Sequence, residues 1–165
     1  MKSFKESMSK VANTVSVLAL SSKISQDGLI AVTISSIVST SVEENQEEVL
    51  FILKSDSYAS KYLEIGTQFS INVLKSSQKD LAIFYGKSAD KTEKSRSVNT
   101  LLWNYKGTIP TLRDAHIVLE CDVTDRLSRR NSTLFFAKVM ESSHSSPSDP
   151  LLHFNRSYYN MGSEN

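Results

Sequence analysis

Val15-Ser16-Val17-Leu18-Ala19-Leu20, the turn signal Gln26-Asp27-Gly28, and Leu29-Ile30-Ala31-Val32-Thr33-Ile34-Ser35 decide the fold class. Two short apolar runs, partly β-branched and parted by a glycine-containing turn, follow hairpin grammar rather than the βαβ pattern that needs a helix between strands. Working outward, Val49-Leu50-Phe51-Ile52-Leu53 is a third apolar run, and Phe69-Ser70-Ile71-Asn72-Val73-Leu74 a fourth. Residues 116–123 alternate, with Ile117, Leu119, Cys121 and Val123 on one face and His116, Glu120 and Asp122 on the other, as expected of a strand with one solvated side. Thr133 to Val139 is apolar on both faces and reads as central. The chain is therefore mainly β, with a small closed or sandwich-like architecture, and its 165 residues fit one domain spanning 1–165.

Helices are few. Phe4, Met8, Val11 and Ala12 fall at i, i+4, i+7 and i+8, one apolar stripe on a short helix. Ser57 to Leu63 suits another. Ser77-Gln78-Lys79-Asp80 has the form of a capping box opening a helix that turns Leu81, Phe84 and Tyr85 inward and stops at Gly86. Ser142 to Ser148 and the basic spots Lys87–Arg96 and Arg126–Arg130 read as solvated loops.

Several chemistries are excluded. The 19 Lys and Arg balance 18 Asp and Glu, and no basic run interleaves with aromatics, so no nucleic-acid partner is expected. No apolar run approaches the roughly 20 residues that span a bilayer, and no signal peptide opens the chain, so the expected setting is cytoplasmic, away from membranes. Cys121 is the lone cysteine and the three histidines lie in no ligand spacing, so neither a disulfide nor a metal site is expected. None of the five glycines stands two residues from another, which excludes G-x-G-x-x-G and Walker loops. No G-x-S-x-G elbow exists either.

The remaining chemistry gathers in Thr33-Ile34-Ser35-Ser36-Ile37-Val38-Ser39-Thr40-Ser41, a strand running into what reads as a loop. Closely spaced hydroxyls and backbone N–H groups can hold a phosphate, or the carbonyls of a flavin ring, without bringing in charge. Such residues also serve turns, which is their commoner use.

Taken in order, the residues resemble the short-chain flavin reductases, small NAD(P)H:FMN oxidoreductase domains that supply reduced flavin to two-component monooxygenases. The likeness starts at Phe4-Lys5-Glu6-Ser7-Met8-Ser9-Lys10-Val11-Ala12 and Val15-Ser16-Val17-Leu18. It continues through Gly28 and a T-x-S-S-x-x-S-x-S segment at Thr33, Ser35, Ser36, Ser39 and Ser41. After the strand at Val49–Leu53 come Ser55 and Ser57, then Phe69-Ser70-Ile71-Asn72-Val73-Leu74 with Gln78, then Phe84-Tyr85-Gly86. Trp103, Pro110-Thr111-Leu112, Leu119-Glu120-Cys121 and Pro150-Leu151-Leu152 with Tyr158 complete it. The set runs from Phe4 to Tyr159. No single motif is specific, but their order is.

The resemblance implies an FMN-binding split β-barrel, a homodimer with flavin near the subunit boundary, and NAD(P)H as co-substrate. It implies that Thr33, Ser35, Ser36, Ser39 and Ser41 meet the flavin ring and phosphate, that Ser55 and Ser57 serve the phosphate or ribityl side, and that Asn72, Val73 and Leu74 line the isoalloxazine. FAD or riboflavin could replace FMN, and a flavin-dependent monooxygenase would take the product. One departure stands out: where the family commonly carries G-D-H, this chain has Arg130-Asn131-Ser132. The histidine associated with nicotinamide or flavin contact is missing, although Arg129 or Arg130 could meet a nicotinamide phosphate. Hydride transfer depends on stacking and positioning more than on a protein acid. The alternative reading is therefore an FMN-binding flavoprotein of the same fold without efficient turnover. A pyridoxine-oxidising or haem-binding relative trails for want of an axial ligand or a dense cationic phosphate site.

Overall fold

A computed structural model describes residues 3–22, 28–87 and 100–162. Gln26 and Asp27 of the first turn, and the basic stretch after Lys87 as far as Arg96, lie outside the described residues. The elements in order are α1 (Phe4–Met8), β1 (Asn13–Thr14), β2 (Ser16–Ser21), β3 (Leu29–Ile34), β4 (Ile37–Ser41), β5 (Glu48–Lys54), β6 (Gln68–Val73), α2 (Lys79–Gly86), β7 (Trp103–Lys106), β8 (Ile109–Leu112), β9 (Ile117–Arg129), β10 (Ser132–His144), β11 (Leu152–Phe154) and β12 (Ser157–Tyr159).

Seven strands form one sheet in the order β3-β2-β6-β9-β10-β5-β4, every ladder antiparallel. Laid flat, seven strands about 4.8 Å apart would hold the edge strands roughly 29 Å apart. Yet the two edges, β3 and β4, are consecutive in sequence, and the three Cα steps from Ile34 to Ile37 reach at most about 11 Å. The sheet must curl until its edges meet at Ser35-Ser36. Among the described residues no ladder joins β3 to β4, so the barrel is split along that seam.

The strands also tilt. Cross-strand partners from Ile34 run through Ser16, Val73 and Ile117 to His144, whereas Ile37 leads through Phe51 to Phe135, nine residues earlier on β10. This stagger is what closing a sheet requires.

Alternate residues fill the barrel. Phe51 stands between Phe69 and Phe135, ring centroids 5.3 and 5.2 Å away, all three fully buried. Cys121 and Val123 point into this core, as the alternation in β9 predicts. A second core lies outside the barrel wall, where Val17 and Ala19 of β2 meet Tyr85, Trp103, Leu112 and Leu151. Strand β2 is thus buried on both faces, which explains its near-continuous apolar sequence.

Several expectations need correction. The helix α1 is only Phe4–Met8 and buries nothing. Phe4, Met8 and Val11 are exposed, so the apolar stripe faces solvent. Ser57–Leu63 yields a single 3-10 turn at Ala59–Lys61. The cap before α2 sits earlier than Ser77: the Gln78 side chain accepts the Lys75 N–H at 2.9 Å. In α2 itself Tyr85 is buried and Leu81 and Phe84 pack against the second core as expected, Ala82 joins them, and the helix ends at Gly86. Two stretches read as loops are strand instead. Arg126–Arg129 closes β9 and Ser142–His144 closes β10, because each long strand pairs with the other beyond its apolar part. The hydroxyl cluster is not a loop either, since only two residues, Ser35 and Ser36, separate β3 from β4.

Candidate functional site

The seam at Ser35-Ser36 is where the predicted residues come together. On one side, the Thr33 hydroxyl donates to the Ala82 carbonyl of α2 at 2.8 Å. On the other, the Ser36 hydroxyl donates to the Ile52 carbonyl of β5 at 3.2 Å. Ser35, between them, is exposed, and its hydroxyl makes no hydrogen bond among the described residues. Three residues past Ile52, Ser55 donates its backbone N–H to the Asn131 carbonyl at 3.0 Å, and its hydroxyl lies 3.1 Å from that of Thr133. The Ser57 hydroxyl accepts the Ser60 N–H at 3.2 Å and caps the following turn. Thr33, Ser35, Ser36, Ser55 and Ser57 therefore lie on neighbouring segments around the split edge.

Ser39 and Ser41 do not join them. They lie toward the far end of β4, Ser41 roughly 20 Å along the strand from Ser35. Their hydroxyls are engaged locally: Ser39 donates to the Ser41 carbonyl at 3.2 Å, and Ser41 accepts the Glu43 N–H at 3.4 Å. Ser41 borders a hollow of about 310 Å³ shared with Glu48, Thr124 and Lys138.

Asn72 lies deep in the second core and is fully buried. Its amide N–H₂ donates to the Val17 carbonyl at 3.0 Å and to Ser70 Oγ at 2.8 Å, while Oδ1 accepts the Leu112 N–H at 2.8 Å. Neither a water-facing residue nor an open ring contact, it clamps β8 onto β2 and β6. Ser70 Oγ reinforces the clamp by donating to the Pro110 carbonyl. Val73 and Leu74 are buried as well. Trp103 is buried and donates from Nε1 to the Tyr85 hydroxyl at 3.1 Å, so its place is packing. Burial pushes the Tyr85 phenol up, against the opposing effect of that hydrogen bond.

Sequence reading missed Asn131 and Thr133 as neighbours of Ser55. Their proximity depends on the β5–β10 register, which pairs Leu53 with Thr133. Arg130 and Asn131 form the tight β9–β10 turn, with Arg130 at φ +50°. The residues standing in place of G-D-H thus touch the Ser55 segment directly.

What this rim offers is hydroxyl and backbone donors of the kind that hold an anion. Ser35 has donor capacity to spare, and Lys54, also exposed, supplies a nearby cation. A flavin phosphate fits such a donor set.

A model of the flavin reductase like domain matches residues 8–162. The chain belongs to the flavin reductase like domain family. Within it, the chain is 25% identical over 162 residues to FMN reductase (NADH) RutF of Pseudomonas syringae pv. syringae (strain B728a), covering 98% of this chain and 86% of that one. The styrene monooxygenase flavin reductase SMOB of Pseudomonas putida S12 superposes with TM-score 0.80 at 25% identity, over 99% of this chain and all of that one. The NADH:FAD oxidoreductase SgcE6 of Streptomyces globisporus C-1027 shares the fold, with TM-score 0.83 at 16% identity over 98% of this chain and 92% of that one. The split barrel of this flavin reductase like chain is thus the architecture of proteins whose names record flavin reduction.

Proposed function

We propose that this chain is a flavin reductase that takes a hydride from NAD(P)H onto FMN, or onto FAD or riboflavin, and passes reduced flavin to a monooxygenase. The observation that carries this is the family match across nearly the whole chain, joined to an exposed hydroxyl rim on the split edge. Flavin, when bound, supplies the hydride acceptor. The chain's own residues orient it: Ser35 donates to the phosphate or ring, Ser36 and Thr33 fix the seam between β5 and α2, and Ser55 and Ser57 flank the phosphate side. Asn72, Val73 and Leu74 act behind this surface, holding the wall in place. With no dinucleotide loop in the sequence, NAD(P)H would come to the bound flavin as a visiting substrate.

A homodimer completes the proposal. The outer face of β4, β5, β10 and β9 carries Val38, Leu50 and Phe136 in one cross-strand row and Ile52, Leu134 and Leu127 in the next. Val38 is 59% exposed, Leu127 42% and Ile52 40%. An apolar band of this kind on a sheet face supports an isologous contact with a second copy beside the seam. No helix among the described residues is long and apolar enough to cross a membrane, which is compatible with a single cytoplasmic domain.

The second reading, a flavoprotein without efficient turnover, is favoured by one observation. The Arg130-Asn131-Ser132 turn brings no histidine to the rim and commits its Asn131 carbonyl to Ser55. Steady-state oxidation of NADH and NADPH with FMN, FAD or riboflavin separates the two. Flavin-dependent turnover well above the uncatalysed rate establishes the reductase, and bound flavin without turnover establishes the alternative.

A further inference from the structure

The segment leaving β5 carries an aromatic pair that the hydroxyl rim does not use. Tyr58, directly after Ser57, is 47% exposed, while Tyr62 is partly buried against the barrel core. Their rings meet edge to face, centroids 5.1 Å apart, and their hydroxyls are 3.2 Å apart. Tyr62 is thus anchored and holds Tyr58 in one orientation from below, leaving much of the Tyr58 side chain open. The turn bearing them, Ala59–Lys61, packs against β3, so it reaches from the end of β5 across the barrel end to one strand of the split edge. A tyrosine held in one orientation by a second tyrosine offers an apolar ring face ordered in advance of any partner.

On the proposed flavin site, Ser55 and Ser57 stand at the phosphate. FMN ends at that phosphate. A dinucleotide continues past it through a second phosphate and a ribose to an adenine. We infer that Tyr58, backed by Tyr62, is a ledge on which the adenine of a dinucleotide stacks, making it a specificity-determining residue for a dinucleotide over a mononucleotide. The inference rests on the flavin reading of the seam. The adenine has two sources, FAD and NAD(P)H. Stacking on a tyrosine face is tolerant of ring identity and strong enough to shift affinity by about an order of magnitude. The hydrogen bond with Tyr62, followed by burial, raises the Tyr58 phenol above its ordinary value.

The test uses the full chain, with Tyr58→Leu to remove the ring and Tyr58→Phe to keep it. Dissociation constants for FMN and FAD come from flavin fluorescence, and KM is compared for NADH and for reduced nicotinamide mononucleotide. If FAD supplies the adenine, Tyr58→Leu weakens FAD about tenfold with FMN within twofold. If NADH supplies it, KM for NADH rises about tenfold with that for the mononucleotide unmoved. Tyr58→Phe restores most of either effect. Intact FMN binding with neither FAD affinity nor NADH KM moved by Tyr58→Leu overturns the ledge and leaves the flavin site standing. Wild-type chain that binds no flavin overturns both.

Discussion

Asn72 Oδ1 accepts the backbone N–H of Leu112 at 2.8 Å, joining a barrel strand to the outer β7–β8 hairpin across 40 residues of sequence. Together with the Val17 carbonyl and Ser70 Oγ, this pairs both the oxygen and the nitrogen of a fully buried amide. A residue so placed is structural before it is anything else, because leaving buried partners unpaired costs about 1–3 kcal/mol for each. Asn72→Leu should therefore lose about 2–4 kcal/mol in urea unfolding. FMN affinity in the fraction still folded should change little. A variant of wild-type stability that has lost FMN would instead put Asn72 against the ring.

The exposed Ser35 hydroxyl makes the opposite prediction. Ser35→Ala removes nothing the fold uses, so the melting temperature stays put. A hydrogen bond to a charged group contributes about 1.5–3 kcal/mol, so FMN should bind at least tenfold more weakly. Ser39→Ala, whose hydroxyl is spent on the Ser41 carbonyl, should have far less effect on flavin. Fluorescence titration of both variants checks the contrast, and equal losses would contradict the division of the hydroxyl cluster.

The apolar band of Val38, Ile52 and Leu134 predicts an association that charge can break. Ile52→Asp projects a carboxylate from the outer face without entering the core. Sedimentation should find wild-type chain as a dimer and the variant as a folded monomer. A wild-type monomer at micromolar concentration contradicts the proposed contact.

Cys121 gives a pH signature. Burial, with Glu120 adding to it, pushes its thiol up to about 12 from its ordinary 9.0. Unfolded chain therefore releases this proton near pH 9 while folded chain holds it to about pH 12. Folded chain binds the extra proton, so stability is full below pH 9 and falls as pH rises through that window. Wild type should lose up to roughly 1.4 kcal/mol per pH unit more than Cys121→Ala between those limits. Parallel stability curves would show the thiol ionising freely in the folded state.

Much of the barrel was legible because its signals are local. The alternation of Ile117 to Val123 and the two-faced apolar run of β2 each report their own surroundings. The seam was harder, since Ser35-Ser36 reads as a loop until the edge order of seven strands shows that β3 and β4 must meet there. Asn131 and Thr133 were invisible as neighbours of Ser55, because a β5–β10 register of this span leaves no local mark. The amphipathic stripe of Phe4, Met8 and Val11 misled for the reverse reason. Spacing fixes which residues share a helix face, not whether anything packs against it.

The most direct test of the account is anaerobic reduction of FMN held by the purified chain. The flavin absorbance band should bleach on adding NADH or NADPH, stoichiometrically and far faster than in protein-free solution, and Ser35→Ala should need more FMN to reach the same rate. A band that persists at the protein-free rate, with FMN demonstrably bound, would contradict the claim that the split edge is a hydride-transfer site.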